Sequence, residues 1–165
     1  MSVDGLFQRV PMVRFERTLP GPIDRVWEYL TTTERLPVWF GTGTIEPRVG
    51  GAVTLMDGHI RGVVTQWRPP RLLAYTWNVF SPGDAESPHP ESYLTIALEP
   101  RGDQVHLTLT HLPILERFEK QNAMGWHTFL DLVEAALCGE EPRTRDAYMM
   151  RNAQRYGVDL ENLAQ

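Results

Sequence analysis

His111 is the polar member of an otherwise apolar run. Val105, Leu107, Leu109 and His111 alternate with His106, Thr108 and Thr110, so in an extended strand the first set shares one side. An imidazole in that place can bind a ligand or move a proton near neutral pH. The plainer alternative is a histidine hydrogen-bonded to backbone near the entry of the next helix. His127 and Asp131 are four residues apart and face each other on a helix, with Glu134 on a neighbouring track. They suit an acid–base dyad or, with fewer demands, a solvated ion pair beside an apolar stripe. The remaining candidates are apolar. Tyr75 and Trp77 share one face of a strand, and Trp39 and Phe40 sit on a short helix. Trp126 begins a helical stripe that continues through Phe129, Leu130, Val133 and Leu137. Together these could wall a ligand cavity or simply pack as core.

Other chemistries are poorly supported. His106 and His111, five apart in a strand, point to opposite faces. His59 lies by a turn and His89 in a Pro-rich loop, and neither Cys-x-x-Cys nor His-Glu-x-x-His occurs. No metal and no other cofactor is therefore expected. Gly-x-Ser-x-Gly is missing. Cys138, the single cysteine, falls at a helix carboxy end, where the dipole disfavours a thiolate, and reads as inert filler. Gly41-Thr42-Gly43 lacks the third glycine of a dinucleotide loop. A net charge of -5, with only Lys120 as lysine among 16 basic residues, argues against nucleic acid as partner. No run approaches a membrane span. The amino end shows no leader pattern, so a reducing cytoplasm is the expected compartment.

The elements that must position these residues can be read from periodicity. Met12–Leu19 alternates as a strand and Pro20-Gly21-Pro22 breaks it. Ile23, Val26, Trp27 and Leu30 mark one helix face, and Leu36, Trp39 and Phe40 a second short helix after Thr33. From Thr44 to His111 the pattern is an antiparallel meander. Its strands are Ala52–Met56, His59–Trp67, Leu72–Val79, Tyr93–Glu99 and Val105–His111, and Asp57-Gly58 suggests a two-residue primed turn between the first two. The period then changes: Glu119 to Cys138 reads as one long helix ending at Gly139. Past Pro142, residues 144–156 suit a more polar helix. The meander needs a cover for its apolar face, and only the long helix is large enough.

Several pieces resemble a known family. They are Phe15, Pro22-x-x-x-Val26-Trp27, Trp39-Phe40, Pro47-Arg48-x-Gly50-Gly51, Gly62, Pro69-Pro70-x-x-Leu73-x-Tyr75-x-Trp77, Leu107–His111, and Gly125-Trp126 at the opening of the long helix. In this order they resemble START-like helix-grip (SRPBCC, birch-allergen-like) domains, in the AHSA-type branch related to the heat-shock ATPase activator, found in bacteria. The resemblance implies an α+β fold: a curved antiparallel sheet of about seven strands, two short helices, and a long carboxy-terminal helix over a cavity. It implies a START-like domain over residues 12–139, an extension over 1–11, and a partly helical extension over 140–165.

Such domains include lipid carriers, polyketide cyclases and chaperone-binding modules. Three functions follow as expectations. The first is binding of a small hydrophobic or aromatic ligand by Trp39, Phe40, Tyr75, Trp77, His111, Trp126, Phe129, Leu130 and Val133. The second is a cyclase- or dehydratase-like enzyme using the same cavity, with His111 and a tyrosine as acid–base groups. The third is a protein-interaction module. Tyr148, Met149, Met150 and Tyr156 give the tail enough apolar surface to need cover. The tail either folds back on its own domain or packs in a homodimer. The homodimer is favoured because the core looks complete by Gly139.

Overall fold

Seven strands form one antiparallel sheet in the computed structural model, which describes residues 4–141 and 143–165. The start of the amino-terminal extension, Met1–Val3, and the break at Pro142 lie outside the described residues. The strands are β1 (Val13–Pro20), β2 (Gly43–Ile45), β3 (Ala52–Leu55), β4 (Ile60–Arg68), β5 (Leu72–Val79), β6 (Ser92–Arg101) and β7 (Gln104–Leu112), in the order β1-β7-β6-β5-β4-β3-β2. Two short helices, α1 (Ile23–Thr31) and α2 (Leu36–Trp39), follow β1. The long helix α3 (Glu119–Leu137) follows β7, and α4 (Arg145–Tyr156) lies in the tail. This is the helix-grip arrangement.

Alternation decides which face is covered. In β6 and β7 the inward residues meet in register: Leu94 opposite His111, Ile96 opposite Leu109, Leu98 opposite Leu107. All six are buried. On α3, Trp126, Leu130, Val133 and Leu137 are buried and Phe129 is partly so. Helix ends follow local chemistry. Thr31 and Thr32 hydroxyls donate to the carbonyls of Trp27 and Glu28 at the end of α1. Gly139 takes φ +69 beyond α3, a left-handed conformation that glycine adopts without strain. Thr144 accepts a hydrogen bond from the Ala147 N–H to cap α4. Gly125 lies well inside α3, whose first residue is Glu119.

The Asp57-Gly58 turn differs from expectation. Leu55 pairs with Ile60, so four residues rather than two bridge β3 and β4. Met56, Asp57 and Gly58 all have positive φ, and the Asp57 N–H donates to the Thr42 carbonyl. That tertiary hydrogen bond ties the loop to the segment between α2 and β2.

The tail helix folds back on its own domain, one of the two expected arrangements. α4 packs on α3 of its own chain, where Tyr148, Asn152 and Ala153 are buried. Asn152 Nδ2 donates to Thr128 Oγ1 and to Asp131 Oδ2, and Arg145 donates to the Phe40 carbonyl. Tyr148 is thus covered within the chain, whereas Met150, Leu160 and Leu163 of the tail stay exposed. The long helix is covered on two faces. The sheet takes the aromatic stripe, and α4 takes the side carrying Thr128, Leu132 and Ala135, all buried.

Candidate functional site

The aromatic residues picked out in the sequence converge. Phe40, fully buried, lies at their centre. Its ring centroid is 4.6 Å from Phe129, 5.1 Å from Trp39, 5.8 Å from Trp77 and 6.0 Å from Trp126. Trp77 also lies 5.3 Å from Trp126, 5.0 Å from His111 and 6.4 Å from Tyr75. These rings largely fill the space between α3 and the sheet. Leu130 and Val133 pack in the same buried cluster. Burial pushes the Tyr75 phenol well above its usual range, so it stays protonated.

Open space remains at one end. A cleft of about 210 Å³ is bounded by Trp77 and Val79 of β5, Ser92 of β6, His111 of β7, His89 and Pro90 from the loop before β6, and Pro113, Ile114, Leu115, Phe118 and Asn122 at the entry to α3. Its walls are mainly apolar. No Lys, Arg, Asp or Glu lines it. Of the residues expected to line a cavity, Trp77 and His111 border this cleft. The other seven sit in the packed cluster behind it.

His111 is 1% exposed and held by side chains rather than by backbone. Trp126 Nε1–H donates to Nδ1 at 3.0 Å. An indole nitrogen is only a donor, so Nδ1 must be the unprotonated nitrogen of a neutral ring. Nε2–H then donates to Ser92 Oγ at 2.7 Å, and the Ser92 hydroxyl turns to the Trp77 carbonyl at 3.4 Å. Burial lowers the His111 pKa from 6.5 to about 4. Its ring is therefore neutral at physiological pH with both nitrogens engaged. Ser92 escaped sequence reasoning because it opens a strand after a polar loop. Only the β5–β6 register, which sets Ser92 opposite Trp77, reveals its place.

The His127–Asp131 pair is a buried-edge network rather than a solvated pair. Asp131, with its side chain 9% exposed, accepts hydrogen bonds from Arg17 at 2.8 Å, Arg151 at 3.0 Å and Asn152 at 3.0 Å. Burial raises the Asp131 pKa, but these donors outweigh it and leave the carboxyl below its usual range. Arg17 also reaches Glu134 at 2.6 Å. His127 lies 3.7 Å from Asp131 and shares a hydrogen bond with the Tyr156 hydroxyl at 2.8 Å. The network fastens α3 to β1 and α4. Cys138, read as packing filler, is exposed. Among the described residues no three His, Cys, Asp or Glu side chains converge as metal ligands, and no helix is long and apolar enough to cross a membrane.

A family model described as "Activator of Hsp90 ATPase homolog 1-like protein" matches residues 20–137. The chain belongs to this family. No curated protein matches the sequence. Among solved structures, CalU16 from Micromonospora echinospora is 26% identical with a TM-score of 0.72, over 88% of this chain and 83% of that one. The protein encoded by BPP1335 from Bordetella parapertussis is 26% identical with a TM-score of 0.67, over 98% and 95%. Protein MLL2253 from Mesorhizobium loti, at 24% identity and a TM-score of 0.68 over 78% and 98%, shows the shared fold. The family match ends at the close of α3, whereas the Bordetella protein matches so much of this chain that the likeness extends across α4.

Proposed function

We propose that this member of the activator-like family binds one small, uncharged, hydrophobic or aromatic molecule in the cleft between α3 and the sheet. The carrying observation is the cleft itself: apolar walls, an aromatic floor at Trp77, and no Lys, Arg, Asp or Glu side chain. The neutral His111 ring on its wall adds no charge. A cavity of about 150 Å³ accommodates benzene, so 210 Å³ suits one ring or two fused rings. Such a ligand would gain mainly from leaving water and from stacking on Trp77. The enzymatic alternative draws little support, because both nitrogens of His111 are occupied and Tyr75 is packed among rings. The protein-interaction alternative draws on the filled aromatic interior, which leaves little room for a large ligand.

Indole N–H resonances discriminate the readings. The chain has five tryptophans. Titration with 2-methylnaphthalene is expected to shift the Trp77 and Trp126 signals and to leave those of Trp27 and Trp67, which pack on each other at 5.1 Å. Val79→Trp, which fills the cleft mouth, is expected to abolish the shifts. If neither this probe nor smaller arenes move Trp77 or Trp126, the ligand reading is wrong and the interaction reading takes its place.

A further inference from the structure

One side chain on the cleft wall has almost all of its hydrogen-bonding capacity unused. Three buried side-chain atoms among the described residues lack a partner: His106 Nδ1, Asn122 Oδ1 and Asn152 Oδ1. Of these residues only Asn122, in the first turn of α3, borders the apolar cleft. Its other end is little better served. Asn122 Nδ2 lies 3.5 Å from His111 Nδ1. A neutral imidazole nitrogen offers one lone pair, and Trp126 Nε1–H already donates to it at 3.0 Å. The same lone pair orients the amide, since the reverse orientation would set Oδ1 against another acceptor. Ser92, the one hydroxyl side chain in the wall, is committed to His111 and the Trp77 carbonyl. An amide buried with its oxygen unpaired is unfavourable. If packing were its whole role, leucine would fill the same volume without that penalty.

We propose that Asn122 is the specificity-determining residue of the cleft, and that the ligand it selects is a neutral aromatic molecule of one or two rings bearing a hydroxyl group. This rests on the cleft being the binding site. A hydroxyl both donates and accepts, so it matches the two ends of an amide. Oδ1 is closed to water in this conformation, so binding turns the side chain toward the cleft and releases the long contact to His111. A carboxylate in place of the hydroxyl is disfavoured, because no lysine or arginine lines the wall and a carboxylate has no hydrogen to donate to Oδ1.

Calorimetry on the full chain with 2-naphthol and 2-methylnaphthalene, matched in shape, tests this. Wild-type protein is expected to bind the naphthol about five- to tenfold more tightly, the ratio one neutral hydrogen bond gives. Asn122→Leu is expected to erase the preference by weakening the naphthol alone. The Trp126 indole signal reports whether the His111 hydrogen bond, and so the local fold, survives the substitution. Should Asn122→Leu fail to fold, Asn122→Ala makes the same comparison. Equal wild-type affinities, or a preference that persists in the variants, overturn the inference and leave the cleft reading standing. Absence of binding by both compounds overturns the cleft reading and this inference with it.

Discussion

Stability should depend on acid through His111. The buried ring is neutral with a pKa of about 4, whereas an unfolded histidine titrates near 6.5. The folded value is depressed, so between these pH values the unfolded chain binds more protons and is favoured as pH falls. Stability from this residue is complete above about pH 6.5 and lost by about pH 4. At about 1.4 kcal/mol for each pH unit, the drop amounts to about 3 kcal/mol. His127 and Asp131 are also lowered and add slopes of the same sign, so wild-type data alone do not isolate the effect. The comparison is with His111→Gln, which keeps a neutral donor and acceptor near Trp126 and Ser92 but does not titrate. Urea melts from about pH 8 to about pH 3.5 are expected to show wild type losing about 3 kcal/mol more than the variant. Its neutral-pH stability is expected to fall by about 1–3 kcal/mol, since one side chain cannot remake both hydrogen bonds. Parallel pH profiles for the two proteins would refute the reasoning, because the imidazole would then be as easily protonated folded as unfolded.

Two further outcomes follow from backbone space and from the tail. A Cβ at Gly125 meets nothing within 4 Å, so Gly125→Ala in the interior of α3 should stabilise by up to about 1 kcal/mol. A Cβ at Gly62 would lie 1.8 Å from the Thr76 carbonyl oxygen, so Gly62→Ala should destabilise by more than about 2 kcal/mol. Thermal melts that rank these variants the other way would contradict the packing of α3 and β4. A chain ending at Gly139 loses Arg151 and Asn152 from Asp131 and uncovers Leu132 and Ala135. It should be less stable by about 2–4 kcal/mol. Equal melting temperatures for the long and short chains would show that α4 contributes nothing to the fold.

Elements whose signal is local were legible. Alternation in Val105–His111 and the 3.6-residue stripe from Trp126 to Leu137 each depend on neighbours within a few residues, and each gave the right element and inward face. The stop at Gly139 was local too, since a left-handed glycine ends α3. The convergence of Trp39, Phe40, Tyr75, Trp77, Trp126 and Phe129 was foreseeable because large rings on inward faces have one interior to share. Whether those rings would enclose a void or close on one another was not, because that depends on how side chains interdigitate.

What the sequence by itself determined, then, is the type, order and inward face of its elements, since hydrophobic periodicity and capping act over a turn or a strand pair. The tertiary structure alone decided the site and the tail. Ser92 meets His111 across 19 residues, Asn122 meets it across 11, and Arg17 reaches Asp131 across 114. The second buried face of α3 carries Thr128 and Asp131, which look like surface residues in any local window. They become interior only because Asn152 and Arg151 supply donors that replace water. A polar group's environment is set by whichever distant segment satisfies it, and no period in the chain records that pairing.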